Sequence, residues 1–500
     1  GTLSFASEIK ALLAGGLVSP SLESAALPDF LANHATSGER TLFQGVFRLP
    51  AGHVLIWRDG AVERRRFWDL SYRRRTPTGP MDDRSIVAEY SRRLEEAVRL
   101  RLMADVPLGA FLSGGIDSAA ITAIMSDLMD APVRTFSVAF AEREANELAY
   151  ARMVAERYRT DHHEIVLSPD AFWKALPRLV YHEDEPLAHP SSVALHAVSE
   201  LAAEHVKVVL TGEGSDETLA GYNRYRVTVA NMALGRLWEG IVPDVIRTRL
   251  SRAIGESGQP GIRGKLSRTF LARRANLDEL YFDNFAVFAP GRQAALLTQS
   301  VRDVTRDIDP YEDYHAAFAE SDAPTMLGKL LYVDAKTYLH ELLMKQDQMS
   351  MAASIESRVP FLDHPLVEFV AGLPDRVKLR GMTTKWILRE AMRDRLPAAI
   401  LSRKKMGFPV PVGRWLRGEW RFLLDEFVLS ERVRRRGIFE PAELKRIVDG
   451  HGAGENHAER LWALITFELW TRIFLDGEDP ASIVMDRAPA RRFAGSAASA

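Results

Sequence analysis

Val106-Pro107-Leu108-Gly109-Ala110-Phe111-Leu112-Ser113-Gly114-Gly115-Ile116-Asp117-Ser118 is the stretch whose reading decides the fold. Its first part, 106–112, is a short apolar strand; a glycine pair follows, and a helical run continues from Ser118 to 129. Two glycines let a backbone turn tightly and come close to a ligand. The helix behind them turns its unpaired N–H groups toward the loop, which makes an anion site suited to phosphate. Ser113 and Ser118 add hydroxyl donors. Asp117 would repel a bare phosphate, so its presence implies a divalent cation between carboxylate and phosphate. The pattern G-x-x-x-x-G-K-[ST] occurs nowhere in the chain, so the lysine that typifies γ-phosphoryl transfer is missing. Taken alone, Gly114-Gly115 is also the turn that any strand-to-helix junction needs.

Downstream, apolar strand patterns at 133–140, 163–167 and 206–210 alternate with helical patterns at 146–158, 172–181 and 193–204. Short apolar strands separated by helices predict a parallel sheet covered on both faces. The last of these strands runs into Thr211-Gly212-Glu213-Gly214-Ser215-Asp216-Glu217, then Gly221-Tyr222. Ligands of open parallel sheets bind outside the carboxyl ends of the strands, so this loop and Ser113–Ser118 belong to one edge. There Asp117 and Asp216 are candidate Mg²⁺ ligands, and Glu213 is a carboxylate free to act on a substrate proton. A solvated acidic turn is the plainer reading of the second loop alone; two such loops on one sheet favour a site. Beyond Tyr222 strand patterns are expected to vanish, leaving long helices at 327–351, 384–395 and 460–474.

Upstream, residues 1–70 read as β with a short helix at 6–13. A hairpin is expected at 53–57 and 62–68 across Asp59-Gly60. Residues 71–84, with Arg73-Arg74-Arg75, Pro77, Gly79 and Pro80, read as a linker. The organisation expected is 1–70, linker 71–84, a main domain over 85–480 and a loose tail over 481–500. No internal repeat is visible.

The chain has 500 residues, which at roughly 150 per domain means two to four domains. It carries 65 Lys and Arg against 67 Asp and Glu, so near-neutrality gives no global case for nucleic acid. The arginine runs 64–66, 73–75 and 434–436 read as solvated surface. It has no cysteine, which removes disulfides, thiolate metal sites and cysteine nucleophiles together. No apolar run approaches the ~18 residues of a membrane span, and the first residues, GTLSFASEIK, lack the pattern of a signal peptide. With no initiating Met, the chain is expected to begin partway through a longer product. A cytoplasmic protein is the expectation.

Six features in order resemble the asparagine synthetase family. They are S-G-G-I-D-S at 113–118, T-F-S-V at 135–138, His162-His163-Glu164, G-E-G-S-D-E at 212–217 with Gly221-Tyr222, E-S-R-V-P-F-L-D at 356–363, and R-K-K-M-G-F at 403–408. The resemblance implies an α/β fold: a parallel-sheet ATP-pyrophosphatase domain (adenine nucleotide α-hydrolase-like) with a helical C-terminal part. It implies that aspartate's side-chain carboxylate attacks the α-phosphate of MgATP, giving β-aspartyl-AMP and pyrophosphate, and that ammonia then displaces AMP. Leu112, Ser113, Gly114, Gly115, Asp117, Ser118, Val138, Thr211 and Gly212 would frame the ATP, with Mg²⁺ on Asp117 and Asp216. Glu213 and Lys405 would be catalytic, Lys405 near the α-phosphate. Without the resemblance Lys405 reads as a solvated charge. His162 and His163 carry no catalytic role, and Arg358 is only a candidate for binding aspartate.

The stretches Phe5–Leu12 and Leu49-Pro50-Ala51-Gly52 resemble the closing part of the family's glutamine amidotransferase domain, an N-terminal-nucleophile domain whose β-rich remnant this would be. That domain normally begins with a nucleophilic Cys. Here none exists, and Thr2 is not taken as its substitute, so ammonia is the expected nitrogen source of this chain and glutamine that of a full-length parent. The partners implied are small molecules, with no nucleic acid or membrane; a homodimer stays open. Rival readings are a β-lactam synthetase-like or peptide-cyclising enzyme using the same adenylation, and a nucleotide-binding module without turnover.

Overall fold

Why two distant loops should meet is answered by the order of the strands. A computed structural model describes residues 2–73, 82–255, 262–403, 407 and 409–485. The strands are β1 (His53–Arg58), β2 (Ala61–Arg66), β3 (Leu108–Phe111), β4 (Arg134–Phe140), β5 (Asp161–Leu167), β6 (Val208–Leu210) and β7 (Glu356–Arg358). β3 to β7 form one parallel sheet in the order β5-β4-β3-β6-β7. The chain winds outward from β3 through β4 to β5, then returns to lay β6 on the other flank of β3. That reversal makes the β3–β6 seam a topological switch point, where the loops leaving adjacent strands part and open a crevice. Ala110 stands opposite Leu210 across the seam, so both loops leave it at the same height.

Both faces are covered, as near-continuous apolar strands require. Val208 and Leu210 of β6 pack with helices Asp83–Leu100 and Ile116–Leu128. Val209 faces the opposite way, into Val198 and Ala202 of helix Ser191–Ala203. The β1–β2 hairpin turns through Asp59 and Gly60, both at positive φ, as an Asp-Gly pair favours.

The upstream residues are tied into the main body. Leu27, Phe30, Leu31, Leu42, Phe43 and Val46 share one apolar cluster with Phe467, Trp470 and Phe474 near the end of the chain. Lys10 Nζ pairs with Asp184 at 2.9 Å, and Arg48 pairs with Glu185, which also accepts from the Leu42 amide at 3.0 Å.

Three expectations need correction. Strands do not vanish after Tyr222: β7 adds a fifth parallel strand, and Leu379–Arg380 pairs with Thr383–Thr384. Glu356-Ser357-Arg358 has no apolar run to announce it, because an edge strand of three residues draws its order from pairing with β6. The pattern at 327–351 is two helices, Met326–Lys336 and Tyr338–Met351, broken at Thr337 (φ −116, ψ −76), whose hydroxyl donates back to the Val333 carbonyl at 2.8 Å. The helix expected from 384 begins at Trp386, because Lys385 takes a left-handed conformation, φ 52. Much of the expected linker, residues 74–81, lies outside the described residues; Ser71 and Tyr72 before it bind Asp322 at 2.6 and 2.8 Å.

Candidate active site

The loop after β3 is held in shape by its own hydroxyls. Ser118 Oγ accepts from the Ser113 amide at 3.1 Å and lies 3.1 Å from Ser113 Oγ. Gly114 has φ +73, and a β-carbon there would meet Tyr150 Cβ at 2.7 Å and the Ala151 amide nitrogen at 2.9 Å. Only glycine takes this turn without strain. Gly115 caps helix Ile116–Leu128, so the first N–H groups of that helix face the loop. Leu112 is buried; its amide donates to the Phe136 carbonyl at 2.9 Å, and its carbonyl accepts from the buried Ser137 hydroxyl. Val138 lies on β4, opposite Ile165 of β5.

The loop after β6 closes against the first. The Thr211 amide donates to the Arg358 carbonyl at 2.9 Å. Gly212 lies so close that a β-carbon would come within 2.7 Å of Asp117 Cβ. Ser215 donates its hydroxyl to Asp117 Oδ1. Asp117 and Asp216 therefore converge from two strands, as their positions after β3 and β6 led us to expect. The residue between them was not anticipated. Lys385 Nζ is 2.7 Å from both carboxylate oxygens of Asp117 and 2.7 Å from Asp216 Oδ1. Nothing in Thr383-Thr384-Lys385-Trp386 singles this lysine out; its burial, 2% exposed, is the signal, and burial is a tertiary property.

Glu213 is half-buried at the lip of the second loop. Behind it Glu217, read at first only as part of the motif, is buried, and its Oε1 accepts from the Tyr222 hydroxyl at 2.6 Å. Burial, with Asp216 and Glu213 adding to it, pushes the Glu217 carboxyl up from 4.5 to about 7. The site thus sets a buried carboxyl, pushed up toward neutrality, beside the half-buried Glu213 side chain.

Lys405 lies outside the described residues. Its neighbour Arg403 lies within them: Nη1 donates to the Gly114 carbonyl at 2.9 Å, the guanidinium pairs with Glu147, and it stacks 4.2 Å from the Tyr150 ring. Arg403 is thereby tied to the loop after β3. Arg358 is spent elsewhere, donating to the carbonyls of Arg101 and Met103 at 2.9 and 2.7 Å and to Glu356 at 2.7 Å. His162 is bound by Thr135 and Glu164, and His163 stacks 4.0 Å from His205; both serve packing. Among the described residues no helix is long and apolar enough to cross a membrane, and no group of three or more His, Asp or Glu could hold a metal unaided.

A profile for asparagine synthase matches residues 89–472, and one for a glutamine amidotransferase domain matches residues 1–68. Asparagine synthetase (glutamine-hydrolysing) 1 of Bacillus subtilis is 30% identical over 483 residues, covering 94% of this chain and 72% of that protein. A protein of Mycobacterium tuberculosis provisionally named asparagine synthetase (glutamine-hydrolysing) is 34% identical over 403 residues, covering 79% of this chain and 59% of that protein. Amidase chyE of Penicillium rubens is 28% identical over 468 residues, covering 88% of this chain and 69% of that protein. With the parallel sheet, the loops meeting at its switch point and a match spanning both segments, the chain belongs to the asparagine synthase family of carbon–nitrogen ligases.

Proposed function

We propose that this chain makes L-asparagine from L-aspartate, ATP and ammonia. The aspartate side-chain carboxylate attacks the α-phosphorus, the bond to the bridging oxygen of pyrophosphate breaks, and ammonia then displaces AMP from β-aspartyl-AMP. The observation that carries the reading is the convergence of Asp117 and Asp216 at the switch point, beneath a loop rich in N–H and hydroxyl donors. Leu112, Val138, Thr211 and Gly212 frame the nucleotide, and Ser113, Gly114, Gly115 and Ser118 take its pyrophosphate. The two carboxylates fit Mg²⁺, since both already reach one point, the Lys385 ammonium, at 2.7 Å; Mg²⁺ usually takes one or two carboxylates and completes its shell with water and phosphate. When bound it would neutralise charge on the departing pyrophosphate.

Glu213 holds the incoming ammonium and accepts its proton. Lys405 is the cation proposed for the α-phosphate, a compact charge where negative charge shifts. The similarity to an amidase supports a second reading, adenylation of another carboxylate. The proposed setting is cytoplasmic, with small molecules as partners and neither nucleic acid nor membrane.

The test is exchange of labelled pyrophosphate into ATP with each of the twenty amino acids. Exchange that needs Mg²⁺ and L-aspartate, and that falls at least about a hundredfold in Asp117→Ala and Asp216→Ala, is expected. Full exchange in both variants overturns the metal assignment. Exchange with a different carboxylate moves the chain to the second reading.

A further inference from the structure

The carboxylates suited to a metal are not idle. Lys385 leaves its backbone in the left-handed region, rare for a side chain with a β-carbon, and drives its ammonium between them with 3% of the side chain exposed. Room for it is specific. A β-carbon at Gly221 would fall 1.9 Å from Asp216 Oδ1 and 2.2 Å from Lys385 Cε. Asp117 accepts the ammonium on both of its oxygens and the Ser215 hydroxyl on one of them.

We propose that Lys385 is a resident counter-ion that closes the Asp117–Asp216 pair to divalent cations until nucleotide arrives, so that metal binding depends on nucleotide. The inference rests on the ATP reading above. Two carboxylates converging on one point can take a divalent cation that completes its shell with water or phosphate. With the ammonium between them their charge is partly neutralised and their facing oxygens are occupied. A cation arriving alone must dislodge that ammonium and leave it buried without a partner, an unfavourable exchange. A cation arriving with a polyphosphate brings new acceptors, toward which a compact ammonium on a flexible stem can turn. Lys385 therefore acts through the carboxylates, as a positioning residue.

The experiment titrates the full chain with Mn²⁺, followed by the electron paramagnetic resonance of the free ion, with and without α,β-methylene-ATP. Wild type is expected to bind Mn²⁺ only weakly without the nucleotide and tightly with it. Lys385→Met is expected to bind Mn²⁺ without nucleotide at least about tenfold more tightly than wild type. Equal nucleotide-free affinity in the two proteins overturns the proposal, as does tight nucleotide-free binding by wild type. The wild-type arm decides even if Lys385→Met does not fold. Wild type that binds no Mn²⁺ with or without nucleotide overturns the ATP reading and this inference with it. Tight nucleotide-free binding overturns the inference alone.

Discussion

Glu217→Gln turns the burial of one carboxyl into a measurable pH dependence. The side chain is 2% exposed, with Asp216 and Glu213 as charged neighbours, and burial first, then those two, raises its carboxyl from 4.5 to about 7. Below the lower value both folded and unfolded chains are protonated there, and the group contributes no pH dependence. As pH rises, the unfolded chain gives up its proton first while the folded chain keeps it, so stability falls across the window from 4.5 to about 7. At ~1.4 kcal/mol per tenfold the full loss is at most about 3.5 kcal/mol. Glutamine mimics the protonated acid, can still accept from the Tyr222 hydroxyl, and cannot ionise. The variant should match wild type near pH 4 and exceed it progressively, by about 3 kcal/mol at pH 8. Urea unfolding read from the nine tryptophans at several pH values measures this. A difference that does not change with pH, or a variant weaker than wild type at pH 8, refutes the reasoning.

Gly114→Ala should lower nucleotide affinity at least about tenfold, because alanine at φ +73 is strained by roughly 1–2 kcal/mol before its β-carbon meets Tyr150 and Ala151; equilibrium dialysis with labelled ATP checks it. Lys405→Ala should slow aspartate-dependent pyrophosphate release, with Arg substituting poorly, whereas Glu213→Gln should spare that step and slow asparagine formation from ammonium; the reverse pattern in the two rates would end both assignments. Arg48→Met should destabilise the chain by about 3 kcal/mol by leaving Glu185 buried without its cation, read as a lower urea midpoint, and an unchanged midpoint would mean the upstream segment is not held through this pair.

What could be read from the sequence was local. Val208-Val209-Leu210 is apolar at every position, and an all-apolar strand must be covered on both faces, so the parallel sheet followed without coordinates. Gly114-Gly115, with Ser113, Asp117 and Ser118 between a strand and a helix, pointed to a phosphate loop, although the glycines alone make a plain strand-to-helix turn equally well. Asp117 and Asp216 were expected at one edge because each follows a strand of a single parallel sheet. The role proposed for Lys405 came from resemblance alone, since charge by itself does not separate a ligand-binding lysine from a solvated one.

Tertiary structure decided whatever depends on partners far along the chain. β7 is a strand only because β6 offers it a free edge; its own residues, Glu356-Ser357-Arg358, carry no such preference. Arg358 was a candidate for a substrate carboxylate until the carbonyls of Arg101 and Met103 took up its guanidinium. The Glu217 carboxyl is pushed up because burial and two neighbouring acids act on it together, and Lys385 meets Asp117 only because the fold brings together residues 268 apart in the chain. Periodicity and turn chemistry are short-range and survive in the bare sequence. Burial, and the choice of which charge faces which, arise only once the chain has closed, and at this site they determine which carboxylates are free and which are already held.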